Sequence, residues 1–289
     1  MVNHGEGRRS RRPAVLLVYI RCLFSGWIPH KGFIMEIQLC SNLAGSGVDQ
    51  SKFIRFGQGI LKEASHKLVH KAFSTIAAIN PLLIAVEHDG DRSTYAELDV
   101  ASTNLSRRLM RLGLRPRDRV VLLVQRSISM VVAIFAVLKS GCQYVPVDGG
   151  VASDDALAHV LSETKAPFVL CLDRYQQRAY EFALPGTQIL SLEHFRNTLT
   201  DCDADIGRTI SVDADDGAYI IYTSGSSISM TNTMSSHGSP PGSTGKPKGV
   251  DVTHRNVTNL LTLAPGNLCI KPGSRVAQVL SISFDMGRS

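Results

Sequence analysis

The sequence predicts an α/β protein built on an open, largely parallel sheet with helices on both faces. Two observations carry that expectation. From about Leu68 onward, short β-branched and apolar runs alternate with amphipathic helical stretches, and the strongest run, Ala218 to Thr223, leads straight into a string of glycines, hydroxyls and lysines. Ligands of such sheets collect beyond the carboxyl ends of strands, so that string stands where a ligand is expected.

Taken in order, Val69, Phe73, Ile76 and Ala77 follow helical spacing, and Asn80-Pro81 stops the helix. Ile84 to Glu87 reads as a strand with a hairpin turn over His88 to Asp91. Thr94, with Glu97 three residues on, has capping-box spacing for a long helix that buries Leu98, Leu105, Leu109 and Leu112 and ends at Gly113. Arg119 to Val124 is a strand, about Ser129 to Lys139 an apolar helix and Tyr144 to Val147 a second strand. Asp154 to Thr164 follows as a helix, then Phe168 to Leu172, Gln188 to Leu190 and Ala218 to Thr223 as strands. Thr253 to Leu263 is helical, and Val276 to Ile282 is a further strand running into Ser283-Phe284-Asp285.

Composition narrows the function classes. The 289 residues are 44% hydrophobic and 19% charged, enough for a substantial core in one large domain or two small ones. Much of the +6 formal charge sits in Arg8, Arg9, Arg11, Arg12, Arg21 and Lys31, faced only by Glu6, and no basic groove with interleaved aromatics follows. Nucleic acid is therefore not the expected partner. Ala14 to Ile20 behind these arginines has the outline of a signal peptide. Arg21 interrupts it, no small-x-small cleavage site follows, and the run is too short to span a bilayer, so we expect an unstructured leader and no membrane partner. Six scattered cysteines without a Cys-x-x-Cys pair fit a reducing, cytoplasmic setting, and with histidines lacking paired spacing they offer no metal site.

Tyr222-Thr223-Ser224-Gly225-Ser226 and Gly242-Ser243-Thr244-Gly245-Lys246-Pro247-Lys248-Gly249-Val250 read as two halves of one phosphate loop. Glycines let the backbone approach, hydroxyls donate, and ammonium groups supply charge, which is what a polyphosphate requires. A Walker A loop is excluded, because Pro240 stands where its first glycine belongs and Pro247 follows Lys246. No Gly-x-Gly-x-x-Gly opens a helix after a strand, which removes a dinucleotide fold. Alone, the string also describes a flexible surface turn. Residues 226–242, rich in Ser, Thr, Met, Gly and Pro, are expected to be a flexible excursion. Their removal restores the loop without disturbing the frame, the pattern of a retained short intron, and ATP affinity is expected to be lower with them than without them.

Rejoined, the string Tyr-Thr-Ser-Gly-Ser-Thr-Gly-Lys-Pro-Lys-Gly-Val resembles the signature of AMP-forming adenylating enzymes. Ser93-Thr94-Tyr95-Ala96-Glu97-Leu98 looks like the first core motif of amino-acid adenylation domains of nonribosomal peptide synthetases. Leu138 to Asp148, containing Tyr144-Val145-Pro146-Val147, looks like the second, and Phe284-Asp285 matches the start of the fourth. The resemblance covers roughly Phe53 to Met286, leaving residues 1–52 as an unmatched basic leader and 53–289 as the amino-terminal portion of an AMP-binding adenylation domain with an incomplete version of its fold.

The resemblance implies attack of an amino-acid carboxylate on Mg-ATP, giving aminoacyl-AMP and pyrophosphate. Transfer to phosphopantetheine on a separate carrier domain would follow, with a condensation domain as a further partner. Thr223, Ser224, Gly225, Ser226, Ser243, Thr244, Gly245, Lys246, Lys248 and Gly249 would contact phosphate, and Asp285 would pair with the substrate α-amino group. The first two motifs are expected mainly to shape the scaffold. Adenine and ribose contacts, the catalytic lysine and most of the specificity pocket would lie beyond Ser289. The chain alone is therefore expected not to adenylate efficiently, and its amino acid is unreadable. The alternatives are another AMP-forming acid or acyl-CoA ligase, or a non-catalytic remnant that at most binds nucleotide or a partner.

Overall fold

In the computed structural model the described residues are 16–20, 64–193, 210–225, 245–267 and 273–283. Arg119–Val124 (β4) is the strand about which they are organised. It pairs in parallel with Gln143–Asp148 (β5) on one side and Phe168–Cys171 (β6) on the other, and Val120 through Val124 are each 0% exposed. Alternation along β4 explains why helices cover both faces. Val120, Leu122 and Val124 share a core with Tyr95–Arg111 (α2) and Ile128–Lys139 (α3), while Val121 and Leu123 pack with Asp154–Thr164 (α4) and Ala179 of Gln176–Phe182 (α5).

Gln188–Ser191 (β7), Gly217–Gly225 (β8) and Gly245–Thr253 (β9) complete a six-stranded sheet of order β7-β6-β4-β5-β8-β9, parallel except for β9. This is the expected open α/β sheet. α4 begins and ends at the predicted residues. α2 carries the predicted capping box, in which Thr94 Oγ1 accepts from the Glu97 amide at 3.2 Å and Glu97 Oε2 accepts from the Thr94 amide at 2.9 Å. Leu112 departs from expectation at 38% exposure, because it lies past the last helical residue, Arg111, where Gly113 at φ +105 turns the chain. A short 3₁₀ turn over Asp173–Tyr175 and helix α5 were not foreseen.

A second sheet is antiparallel and joins, in order, Ser274–Gln278 (β10), Leu16–Ile20 (β1), Ile84–His88 (β2) and Asp91–Thr94 (β3). Ile84–His88 (β2) and Asp91–Thr94 (β3) form its predicted hairpin, turning through Asp89 and Gly90 at positive φ. Leu16–Ile20 (β1), which the sequence placed in an unstructured leader, is an extended strand between β2 and Ser274–Gln278 (β10). Its five-residue apolar run suits a strand, but its partners lie far along the chain, beyond the reach of local pattern. β10 stops short of the predicted Ile282 and joins this sheet, not the parallel one. Val69–Ile79 (α1) and His254–Asn267 (α6) meet beside the main sheet. Among the described residues no helix is long and apolar enough to cross a membrane.

Candidate phosphate-loop site

β8 and β9 bring the two halves of the string side by side. Tyr222 pairs with Gly249, Thr223 with Lys248 and Gly225 with Gly245; the expected flexible excursion over residues 226–242 lies outside the described residues. The sequence reads Gly245 to Val250 as half of a loop; pairing with the apolar β8 makes it a strand despite the low β propensity of Gly-Lys-Pro-Lys-Gly. Thr223, Lys248 and Gly249 are exposed and open to a ligand from solvent. Ser224, Gly225, Gly245 and Lys246 are placed at the adjoining strand ends. Ser226, Ser243, Thr244 and Asp285 lie outside the described residues.

Three sets of contacts fix the hairpin. Next to β8, Gln143 Nε2 donates to Asp251 Oδ1 at 2.7 Å, running past Gly217, where an added Cβ would lie 1.5 Å from that nitrogen. At the base, Thr253 and Asn256 cap α6 reciprocally, with the Asn256 amide donating to Thr253 Oγ1 at 3.3 Å and the Thr253 amide to Asn256 Oδ1 at 3.0 Å. The His254 and Arg255 amides donate to the Asp216 and Ala214 carbonyls at 3.1 and 2.7 Å. The His254 ring is buried edge-on to His70 at 5.5 Å, its Nδ1 accepting from the Val69 amide at 3.3 Å. Burial, reinforced by the neighbouring His254, pushes His70 down to about 3; burial lowers His254 as well, against the pull of Asp216. Nearer the loop, His159 of α4 reaches the Pro247 carbonyl with Nε2 at 2.8 Å.

The neighbouring strand end is tied down too. Asp148, last residue of β5, accepts the Ser281 hydroxyl on Oδ2 at 2.6 Å and the Gly150 amide on Oδ1 at 3.0 Å, and its own amide donates to Ser283 Oγ at 2.8 Å. Ile282 packs into the core. The segment entering Phe284-Asp285 is thereby docked at the carboxyl end of β5, beside β8 in the sheet.

The first two motifs shape the scaffold. Lys139 drives its ammonium between helices, donating to Asp99 Oδ1 at 2.8 Å, the Asp99 carbonyl at 2.7 Å, and Ser102 Oγ and Thr103 Oγ1 at 2.8 Å each. Burial lowers its pKa and the Asp99 carboxylate opposes that. Cys142 and Cys171 are buried thiols pushed up to about 12, chiefly by burial, and stay protonated. Among the described residues no group of three or more His, Cys, Asp or Glu could hold a metal ion. His159, Glu163, Ser281 and Ser283 were not singled out from sequence; the i,i+4 spacing of the first two on the helix after Tyr-Val-Pro-Val-Asp was their only signal.

Comparison with known proteins identifies the family. Residues 73–227 match the model of the AMP-binding enzyme family. An adenylate-forming reductase of Coprinopsis cinerea is 38% identical over 87% of this chain and 22% of its own length. The nonribosomal peptide synthetase gliP of Aspergillus fumigatus is 33% identical over 74% of this chain and 9% of its own. Among solved structures, the nonribosomal peptide synthetase FmoA3 in its α-methyl-L-serine-AMP bound form superposes with a TM-score of 0.57 at 27% identity, over 72% of this chain and 20% of that one. The chain thus spans about a fifth or less of the length of these relatives. The family match over residues 73–227 and these relatives establish that the chain belongs to the AMP-binding, adenylate-forming enzyme family, with nonribosomal peptide synthetases among its relatives.

Proposed function

We propose that the β8–β9 hairpin holds the phosphates of ATP for activation of an amino acid as aminoacyl-AMP, within a nonribosomal peptide synthetase. The observation that supports this reading is the pairing of Thr223 with Lys248 and of Gly225 with Gly245, which brings the two halves of the string together and sets an exposed hydroxyl beside an exposed lysine. Such an array neutralises charge spread over a triphosphate and orients it, which is most of what adenylyl transfer asks of a protein. Thr223, Ser224, Gly225, Ser226, Ser243, Thr244, Gly245, Lys246, Lys248 and Gly249 are the phosphate group in this proposal. Asp285, two residues beyond the anchored Ser283, receives the α-amino group. Mg2+ enters with the triphosphate, and a phosphopantetheine-bearing carrier domain takes the aminoacyl group, with a condensation domain downstream.

A second reading, activation of an acid without the α-amino group, is favoured by the likeness to an adenylate-forming reductase. Calorimetric titration with Mg-ATP tests the common core of both. Lys248→Ala is expected to weaken binding about tenfold, the usual weight of one charge-assisted contact; unchanged affinity would overturn the assignment of the loop. Pyrophosphate exchange by a complete adenylation domain carrying this segment, with amino acids against their deaminated analogues and with and without Asp285→Ala, separates the two readings.

A further inference from the structure

We propose that His159, Glu163 and Tyr222 form a brace that holds the two halves of the phosphate loop in register, and that His159 is a positioning residue for the triphosphate. The second half of this statement rests on the phosphate-loop reading above; the first does not.

The ladder between β8 and β9 is interrupted at its base, between Gly217 and Tyr219, and again near its open end, between Thr223 and Gly225. Thr223 pairs with Lys248 and Gly225 with Gly245, so one residue, Ser224, faces two, Lys246 and Pro247. A bulge of this kind leaves backbone without ladder partners. Pro247 also lacks an N–H, so its carbonyl is the group by which the strand can be gripped there. His159 grips that carbonyl. Because a carbonyl only accepts, Nε2 must carry the hydrogen, and the same nitrogen lies 3.2 Å from Glu163 Oε2 one helical turn on. Burial and the nearby Glu163 carboxylate push the Tyr222 hydroxyl up to about 12, so it keeps its proton and can donate to that carboxylate. The His159 ring stands edge-on to Tyr222, 6.0 Å between centroids and 83° between planes.

Tyr222 belongs to the upstream half of the loop and Pro247 to the downstream half, so α4 touches both. Gly249 makes room for this. A Cβ there would lie 3.2 Å from Tyr222 Cζ and 3.1 Å from Ile220 Cγ2, tighter than ordinary contact. The Pro247 carbonyl shares its peptide plane with the Lys248 amide, so fixing one orients the other. His159 and Glu163 side chains keep 25% and 47% of their surface exposed, which points to a modest effect on global stability and a local effect on geometry.

The test uses the full chain with His159→Ala and His159→Gln, the latter keeping an N–H donor. Without nucleotide, amide exchange at Lys248 and Gly249 should speed by roughly five- to tenfold in His159→Ala and by less than half of that in His159→Gln, with β4 amides unchanged. Unchanged exchange at Lys248 and Gly249, or equal acceleration in β4, would overturn the brace. In Mg-ATP titration the alanine variant should bind about tenfold more weakly and the glutamine variant within about threefold of the parent. Faster exchange with unchanged ATP affinity removes the positioning role, whereas a parent chain that binds no ATP defeats the phosphate-loop reading and leaves the exchange result to decide the brace.

Discussion

β4 and β9 belong to one sheet, β4 in parallel ladders and β9 in an antiparallel one, and they are held in different ways. β4 is bonded on both sides and its Val120 to Val124 are wholly buried. β9 is bonded on one side, by β8, and Val250 on it is 46% exposed. What fixes β4 is burial on two faces; what fixes β9 is a few side-chain links, from Gln143, His159 and the His70–His254 joint. A strand with little apolar burial can adjust locally without unfolding the domain, and the candidate site lies on that strand.

The contrast breaks most directly by removing apolar volume from each strand. Leu122→Ala in β4 should lower unfolding stability by about 2–5 kcal/mol, because a fully buried side chain leaves a cavity. Val250→Ala in β9 should change it by no more than about 0.5 kcal/mol. Denaturant midpoints of similar size for both would mean that β9 carries core weight after all.

The second effect concerns the joint that ties the base of β9 to α1. His70 and His254 are kept neutral in the fold, while unfolded histidines take a proton near the ordinary value of 6.5. Below that pH the unfolded chain binds more protons than the folded one, so the stability tied to neutral imidazoles is complete above about pH 7 and lost as pH falls from 6.5 towards about 3. The loss is on the order of a few kcal/mol. His70→Phe should flatten the fall in thermal midpoint between pH 7 and pH 5; an unchanged slope removes the histidine pair from the account.

The third effect is a local one in the well-buried half. Thr94→Ala removes the cap of α2 and should cost about 1 kcal/mol, with no change in amide exchange along β9. A change there would show the two regions to be coupled through the helices.

Much of the well-buried half was legible in the chain. Arg119 to Val124 is a continuous apolar run after one arginine, and Thr94 with Glu97 spells a capping box, both local signals. The hairpin was legible only as chemistry. Gly245 to Gly249 looks like a loop because its glycines and proline disfavour a strand, and its strand character comes from β8 alongside. Leu16–Ile20 misled for the same reason, since its partners are Val86 and its neighbours on β2 and Val276 on β10.

By itself the sequence determined what the loop contains: hydroxyls, glycines and lysines are written in consecutive residues, and their affinity for phosphate is a property of those groups. Tertiary structure alone decided what holds them. His159 and Pro247 stand 88 residues apart. Only the strand order β5-β8-β9, with α4 packed on that face, brings the imidazole to the carbonyl, because hydrogen bonding needs proximity that no local propensity encodes.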